Sequence, residues 1–315
     1  MSASTHGSVL TAPADITTPT EAVVARQVVA YEHQSLARAA GRRFLRHRLA
    51  VIGLVLLGVI VLMALLADVV SSKPFFTDVK AVSQPPSSQH LLGTDRSGRD
   101  VWARVVHGAR TSLVVGIGAV GIYVTIGTLL GGVAGLRGGR VDFFIMRIVD
   151  TLMSIPTLLL VIVFVAAVGP SLASVVAVIG LLGWPGACRL VRGQLLALRE
   201  AEFVLAARVI GVSSSQILIR HMIPNLVSSL AVLATFGVAS AIILEAGLSF
   251  LGLGVKVPIP SWGEMINAAQ SPSVLIDTPW LWIAPGIAIA LTVLSVNFIG
   301  DGLRDALNPR ATRQG

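Results

Sequence analysis

Few side chains in this chain are of a type that does chemistry, and their spacing rules out most of what they could do. A phosphate-cradling loop ends in Gly-Lys-Ser/Thr. The three lysines follow Ser72, Val79 and Val255, so none completes one. No His-Glu-x-x-His zinc pair, Gly-x-Ser-x-Gly nucleophile turn or calcium-binding loop occurs, and Asp95 and Asp100 have the wrong spacing for the last of these. Cys188 is the sole cysteine, which excludes an internal disulfide or a cysteine-built zinc cluster, and it reads as a small buried residue. Carboxylates are scarce in the apolar runs: Asp150, Glu245 and Asp301 all fall near their ends. A carrier driven by protons or sodium usually needs some near mid-membrane. Glu245 has two readings, a group that gates or lines a pathway, or a solvated or partner-paired carboxylate at the membrane interface. These residues predict no catalytic residue, metal site or cofactor in this chain.

The elements that would position these groups are apolar helices. The 315 residues are 54% hydrophobic and 13% charged, against about 25% charged in a soluble domain. The 31 glycines suit close-packed membrane helices. Residues 49–67 hold no charge over 19 positions, enough at about 1.5 Å per residue to cross a hydrocarbon core of about 30 Å. Residues 151–188 are uncharged over 38 positions, about 57 Å as one helix. They are therefore read as two spans, broken at Gly169-Pro170-Ser171. The fold class expected is an all-α polytopic membrane protein with six transmembrane helices. The spans are expected at about 49–70, 111–136, 149–169, 171–188, 222–245 and 278–300. They form one membrane domain over residues 41–308, flanked by tails at 1–40 and 309–315.

Charge sets the expected orientation. The net charge is +8, carried by 21 Arg and 3 Lys. With both termini in the cytoplasm, 17 basic residues fall on inside segments and seven on outside ones, as the positive-inside rule favours. The basic residues sit between apolar runs, which fits anionic headgroups and topology better than nucleic acid. Residues 1–20, rich in Ser, Thr, Ala and Pro, read as disordered rather than as a signal peptide. The basic cluster 42–48 is expected on the cytoplasmic surface before the first span.

Residues 199–225 form a polar, helix-prone island between apolar runs, with Ala206, Ala207, Gly211 and Pro224 at fixed offsets. A connection this long and regular reads as a surface that another protein holds. The expected geometry is a short helix around 202–210 presenting Ala206 and Ala207 as a small-residue face. Gly211 would end it in a left-handed conformation. Ser213 to Gln216 would cap a second helix, and Pro224 would start a new direction into the fifth span.

The island resembles the conserved cytoplasmic loop of the membrane subunits of ATP-binding cassette importers. That pattern reads Glu-Ala-Ala, three residues, Gly, nine residues, then Ile-x-Leu-Pro. The matching residues here are Leu205-Ala206-Ala207, Gly211 and Ile223-Pro224. Leu205 stands where the pattern has glutamate and His221 where it has isoleucine; Glu202 lies one turn before Leu205. Two further blocks, Leu92 through Val101 and Leu248 through Gly254 followed by Pro260-Ser261-Trp262-Gly263, resemble segments of the dipeptide/oligopeptide/nickel group, in its second, shorter permease type. The likeness covers roughly residues 40–308.

The resemblance implies a cytoplasmic coupling loop over 199–225 (Glu202, Leu205, Ala206, Ala207, Gly211, Ile223, Pro224) in a plasma-membrane (inner-membrane) protein. It implies a second related permease, two cytoplasmic ATPase subunits and an extracytoplasmic solute-binding protein as partners. ATP and magnesium are expected in those ATPases and no cofactor here. The cargo implied is di- or oligopeptides; nickel chelates, glutathione or another small solute is the alternative within the family, and a secondary carrier or channel the alternative outside it. Gly93, Asp95 and Asp100 are read either as an outside contact for the binding protein or translocation mouth, or as a structural turn.

Overall fold

The computed structural model describes residues 36–71, 75–267 and 270–307. Most of the N-terminal tail and all of the C-terminal tail expected from the sequence lie outside them. Among the described residues five helices are long and apolar enough to cross a membrane, and a sixth crossing is available if one bent pair counts as a single span. In chain order the helices are α1 (Leu36–Arg46), α2 (Arg48–Leu65), α3 (Ala67–Val70), α4 (Val101–Arg137), α5 (Gly139–Met153), α6 (Thr157–Val168) and α7 (Leu172–Arg199). They continue with α8 (Glu202–Val209), α9 (Ser214–Ile217), α10 (Ile223–Phe250), α11 (Trp262–Asn267), α12 (Pro272–Asp277) and α13 (Trp280–Leu307). A π-helical turn, Leu218–Met222, joins α9 to α10 without a break. Among the described residues the only β-pairing is an isolated bridge between Thr94 and Asp100.

Several helices outrun the apolar stretches that announce them. α4 starts at Val101 rather than near 111, because Asp100 caps it by accepting from the Ala103 N–H at 2.9 Å. The arginines of its first turns also have partners. Arg104 pairs with Glu264, and Arg110 donates to the Ala64 carbonyl at 3.0 Å and to Asp68 at 3.1 Å. α7 likewise continues past 188 to Arg199, with Arg189 paired to Asp150 at 2.5 Å and Arg192 to Asp142. Charges that end an apolar run need not end a helix when each has a partner across the bundle. The stretch read as one span at 149–169 is instead broken: α5 and α6 meet at Ser154-Ile155-Pro156 with a bend of 87°. Pro156 lacks the N–H that the preceding turn would need. α7 then restarts at a reciprocal cap, Ser171 Oγ accepting from the Ser174 N–H at 3.1 Å and Ser174 Oγ from the Ser171 N–H at 2.8 Å.

α4 and α7 form the central pair. Gly127, Gly131 and Gly135 repeat at intervals of four along α4 and face α7. A Cβ on Gly131 would lie 2.5 Å from the Cys188 carbonyl oxygen, and one on Gly135 would lie 2.9 Å from the Leu195 Cβ. Lipid tails are as apolar as leucine, so helix association in a bilayer rests on this close backbone approach rather than on water exclusion. Cys188 is buried in that contact beside Val149 and Trp184.

The bundle has two distinguishable ends. One carries the island, with Arg199 donating to the Gly135 carbonyl at 3.2 Å and His47 placed 3.6 Å from Asp305. At the opposite end, residues 75–100, 251–267 and 270–279 fold over the helix termini. There the Trp280 indole donates to the Thr94 carbonyl at 3.3 Å and the Trp262 indole to the Val105 carbonyl at 2.9 Å.

Candidate functional site

The island folds as a small module with its own core. Val204, Ala207, Ile217, Met222 and Leu226 pack against Val191 and Leu195 of α7. α8 ends in a Schellman turn: the Val212 N–H donates to the Ala207 carbonyl at 3.0 Å, and Gly211 takes φ +81°. Only glycine adopts that conformation without a steric penalty. Ser213 Oγ accepts from the Gln216 N–H at 3.4 Å while contacting the Gln216 side chain at 3.1 Å, which caps α9.

The structure divides the island residues read from the sequence. Glu202, Leu205, Ala206, Gly211 and Pro224 are exposed, Ile223 is half-buried, and Ala207 is buried in the module's core. The two alanines therefore do not form one outward face. Ala206 looks out, and the exposed surface beside it is apolar: Phe203, Val209 at 86% exposure and Ile210 at 79%. Pro224 does not open a new helix after a break. It lies in the first turn of α10, where its missing N–H is accommodated by the π-helical turn, and the helix runs on through it. Beside it, Gln216, Ile219, Arg220 and Pro224 line a shallow cavity of about 470 Å³.

At the opposite end, Gly93, Asp95 and Asp100 are committed to local architecture. Asp95 accepts from the N–H groups of Ser97 and Arg99 at 2.8 and 2.9 Å and from the Arg99 guanidinium at 2.7 Å. Asp100 caps α4 and meets His90 Nδ1 at 2.8 Å. Gly93 takes φ +72°, and a Cβ there would stand 2.5 Å from the Gln84 carbonyl. Behind this turn Arg104, 2% exposed, bridges Glu264 at 2.5 Å and Asp95 at 3.8 Å. Burial pushes the Glu264 carboxyl above its ordinary range, against the pull of the Arg104 charge.

Glu245 is neither solvated nor at a helix end. It has no exposed surface and sits one turn before the end of α10. Its Oε1 accepts from Ser249 at 2.7 Å and from Ser261 at 2.9 Å; Ser112 of α4 approaches Oε2 at 3.5 Å. Three hydroxyls from three segments thus cradle one carboxyl group. Ser261 in turn accepts from the Glu264 N–H at 3.1 Å, which joins the cradle to the Arg104 network. Sequence reasoning singled out Glu245 but not Ser112, Ser249, Arg104 or Glu264 as its neighbours. Ser249 and Ser261 both stand inside the second of the two blocks that carry the family resemblance. Among the described residues no group of three or more His, Cys, Asp or Glu side chains is placed to hold a metal ion.

Comparisons with known proteins agree with this architecture. Residues 127–313 match the family model described as the binding-protein-dependent transport system inner membrane component. Residues 35–86 match the N-terminal transmembrane domain of oligopeptide transport permease C. A Brucella suis biovar 1 protein provisionally named a peptide permease is 47% identical over 277 residues, covering 88% of this chain and 91% of that protein. The dipeptide transport system permease protein DppC of Alkalihalophilus pseudofirmus is 40% identical over 274 residues, covering 87% of this chain and 90% of its own. A family match over more than half the chain, with relatives aligned almost end to end, sets the secondary-carrier and channel readings aside: the chain belongs to the inner-membrane permease components of binding-protein-dependent transport systems.

Proposed function

We propose that this chain is one of two related permease subunits of an ATP-driven importer of di- and oligopeptides. The observation that carries the reading is near-full-length similarity to proteins named for peptide and dipeptide permeation. The chain itself is not the enzyme of the system; two cytoplasmic ATPase subunits hold ATP and magnesium and hydrolyse the nucleotide. An extracytoplasmic binding protein delivers the peptide. The island is the docking surface for an ATPase, with Glu202, Leu205, Ala206 and the apolar patch around Val209 offered to it. The buried core of Ala207, Ile217 and Met222 makes the module stiff enough to transmit a push. Both termini and the island lie in the cytoplasm, in keeping with the distribution of arginine. ATP-driven closure of the motor then moves the island and tilts the helices between inward-open and outward-open states.

Purification of the tagged chain from its native membrane in mild detergent, with mass spectrometry of what is retained, tests the assembly. A second permease, an ATPase and a peptide-type binding protein are expected. The recovered complex, reconstituted in liposomes, should accumulate radiolabelled dialanine with ATP and not with a non-hydrolysable analogue. Uptake of a nickel chelate or glutathione in place of dialanine would move the cargo to the alternative within the family.

A further inference from the structure

A cavity of about 300 Å³ opens between α4, α7 and α10, edged by the first residue of α6. Its walls include Tyr123, Thr157, Gly186, Phe236, Ser240 and Leu244, and none of its lining residues is Asp, Glu, Lys, Arg or His. Tyr123, Gly186 and Ser240 lie well inside their long helices, which places the cavity near the middle of a bilayer crossing. Transported solutes are held at that depth in many carriers.

Two observations distinguish it from a gap between lipid-facing helices. The hydroxyls of Tyr123 and Thr157 make no hydrogen bond to the described residues, whereas Ser240 donates to its own helix at 3.1 Å. Tyr123 is half-buried and Thr157 exposed, so both hydroxyls are open to whatever enters the pocket, and a polar occupant would give them partners. Two glycines leave this space open. The Tyr123 hydroxyl sits where a side chain on Gly237 would be, and a Cβ on Gly186 would meet nothing within 4 Å.

We propose that this mid-span pocket is a side-chain subsite for uncharged residues of a peptide in transit, an inference that rests on the peptide-import reading above. The Tyr123 and Thr157 hydroxyls hydrogen-bond the peptide's amide groups. Phe236 and Leu244 receive an apolar side chain. The same walls reject Asp, Glu, Lys and Arg side chains, whose charges would find no counter-charge there. One wall belongs to α10, which is continuous with the island, so motion of the island alters the shape of the pocket.

The test uses the complete transporter in liposomes, with the binding protein saturated by each dipeptide in turn so that turnover reads the membrane step. The dipeptides are Ala-Ala, Ala-Phe and Ala-Glu. Gly186→Leu fills the pocket from a position with free space around it. It should lower turnover of Ala-Phe by about 10-fold relative to Ala-Ala, the scale of discrimination an apolar pocket provides. Tyr123→Phe removes only the hydroxyl and should slow all three dipeptides without altering the amount of partner permease that co-purifies. The wild type should move Ala-Glu more slowly than Ala-Phe. Unchanged turnover and an unchanged Ala-Phe to Ala-Ala ratio in both variants would make the pocket a lipid-facing gap and overturn the proposal. Loss of the partner permease from the Gly186→Leu complex, with unchanged turnover of all three dipeptides in Tyr123→Phe, would make it a subunit interface and overturn it equally. A wild-type complex that moves none of the three dipeptides removes the peptide reading itself, and the subsite with it.

Discussion

Ser261 donates a 2.9 Å hydrogen bond to Glu245, tying the loop before α11 to the last turns of α10. Ser249 and Ser112 complete the cradle, so the carboxyl group joins α4, α10 and the 251–261 segment at one buried point. Glu245→Ala leaves three hydroxyls without their acceptor. It should destabilise the chain by about 3 kcal/mol, since a stranded buried donor costs about 1–3 kcal/mol. Glu245→Gln keeps one carbonyl oxygen for Ser249 and Ser261 and should lose less than half as much. Thermal unfolding of the two variants in detergent checks the order; equal midpoints would mean that the cradle does not stabilise the fold.

Gly211 ends α8 at φ +81°, with open space around the position of a Cβ. Substitution there costs backbone strain and no clash. Gly211→Val should therefore weaken the island by about 1–2 kcal/mol without disturbing the helices. Gly211→Asn, a residue that tolerates this conformation, should lose less. In the reconstituted complex the valine variant should hydrolyse ATP with little dialanine uptake. Normal coupling in that variant, with the complex intact, would remove Gly211 from the coupling route.

Gly131 and Gly132 are neighbours in sequence with opposite surroundings. A Cβ on Gly131 would press 2.5 Å from the Cys188 carbonyl, and one on Gly132 would meet nothing within 4 Å. Gly131→Ala should push α4 away from α7 at a cost of about 1–3 kcal/mol. Gly132→Ala should be neutral or stabilising by up to about 1 kcal/mol, because alanine is the better helix former. Unfolding midpoints of the pair, measured side by side, separate packing from propensity.

Glu264 supplies a pH dependence whose sign is fixed. Burial holds its carboxyl above the ordinary value of 4.5 while the Arg104 charge pulls the other way. The folded chain thus keeps this proton to higher pH than the unfolded chain does. The stabilisation is complete below the unfolded value and is lost as pH rises through the raised folded value. Glu264→Gln should flatten that acid-side slope, and Arg104→Met, which removes the opposing charge, should carry the loss to higher pH. Unfolding midpoints between about pH 4 and pH 8 read both effects.

The legible and illegible parts of this molecule divide by the reach of their interactions. Apolar runs announce the helices because each residue faces lipid or a neighbouring helix locally. Gly211 is legible because a left-handed stop needs glycine and little else. Helix ends were misjudged at Arg104, Arg110, Arg189 and Arg192, whose partners Glu264, Asp68, Asp150 and Asp142 lie between 39 and 160 positions away. The bend at Pro156 was missed because the uncharged run hides it, and the burial of Ala207 because either face of a short helix can turn inward. Ser112 stands 133 positions from Glu245, and a serine in an apolar run gives no sign that it serves a distant carboxylate.

The unbroken helix from Ser214 through the π-turn to Phe250 extends, at about 1.5 Å per residue, to about 55 Å. It begins in the island and ends within a turn of the Glu245 cradle. A boom of that length, pinned near one tip and pushed at the other, converts a tilt of a few degrees into a sweep of several ångströms. On the proposed reading of the island as the ATPase contact, the distance from the pin to the push sets the mechanical advantage. An insertion or deletion of one helical turn between Pro224 and Glu245 would change the gearing even if every contact at both tips survived.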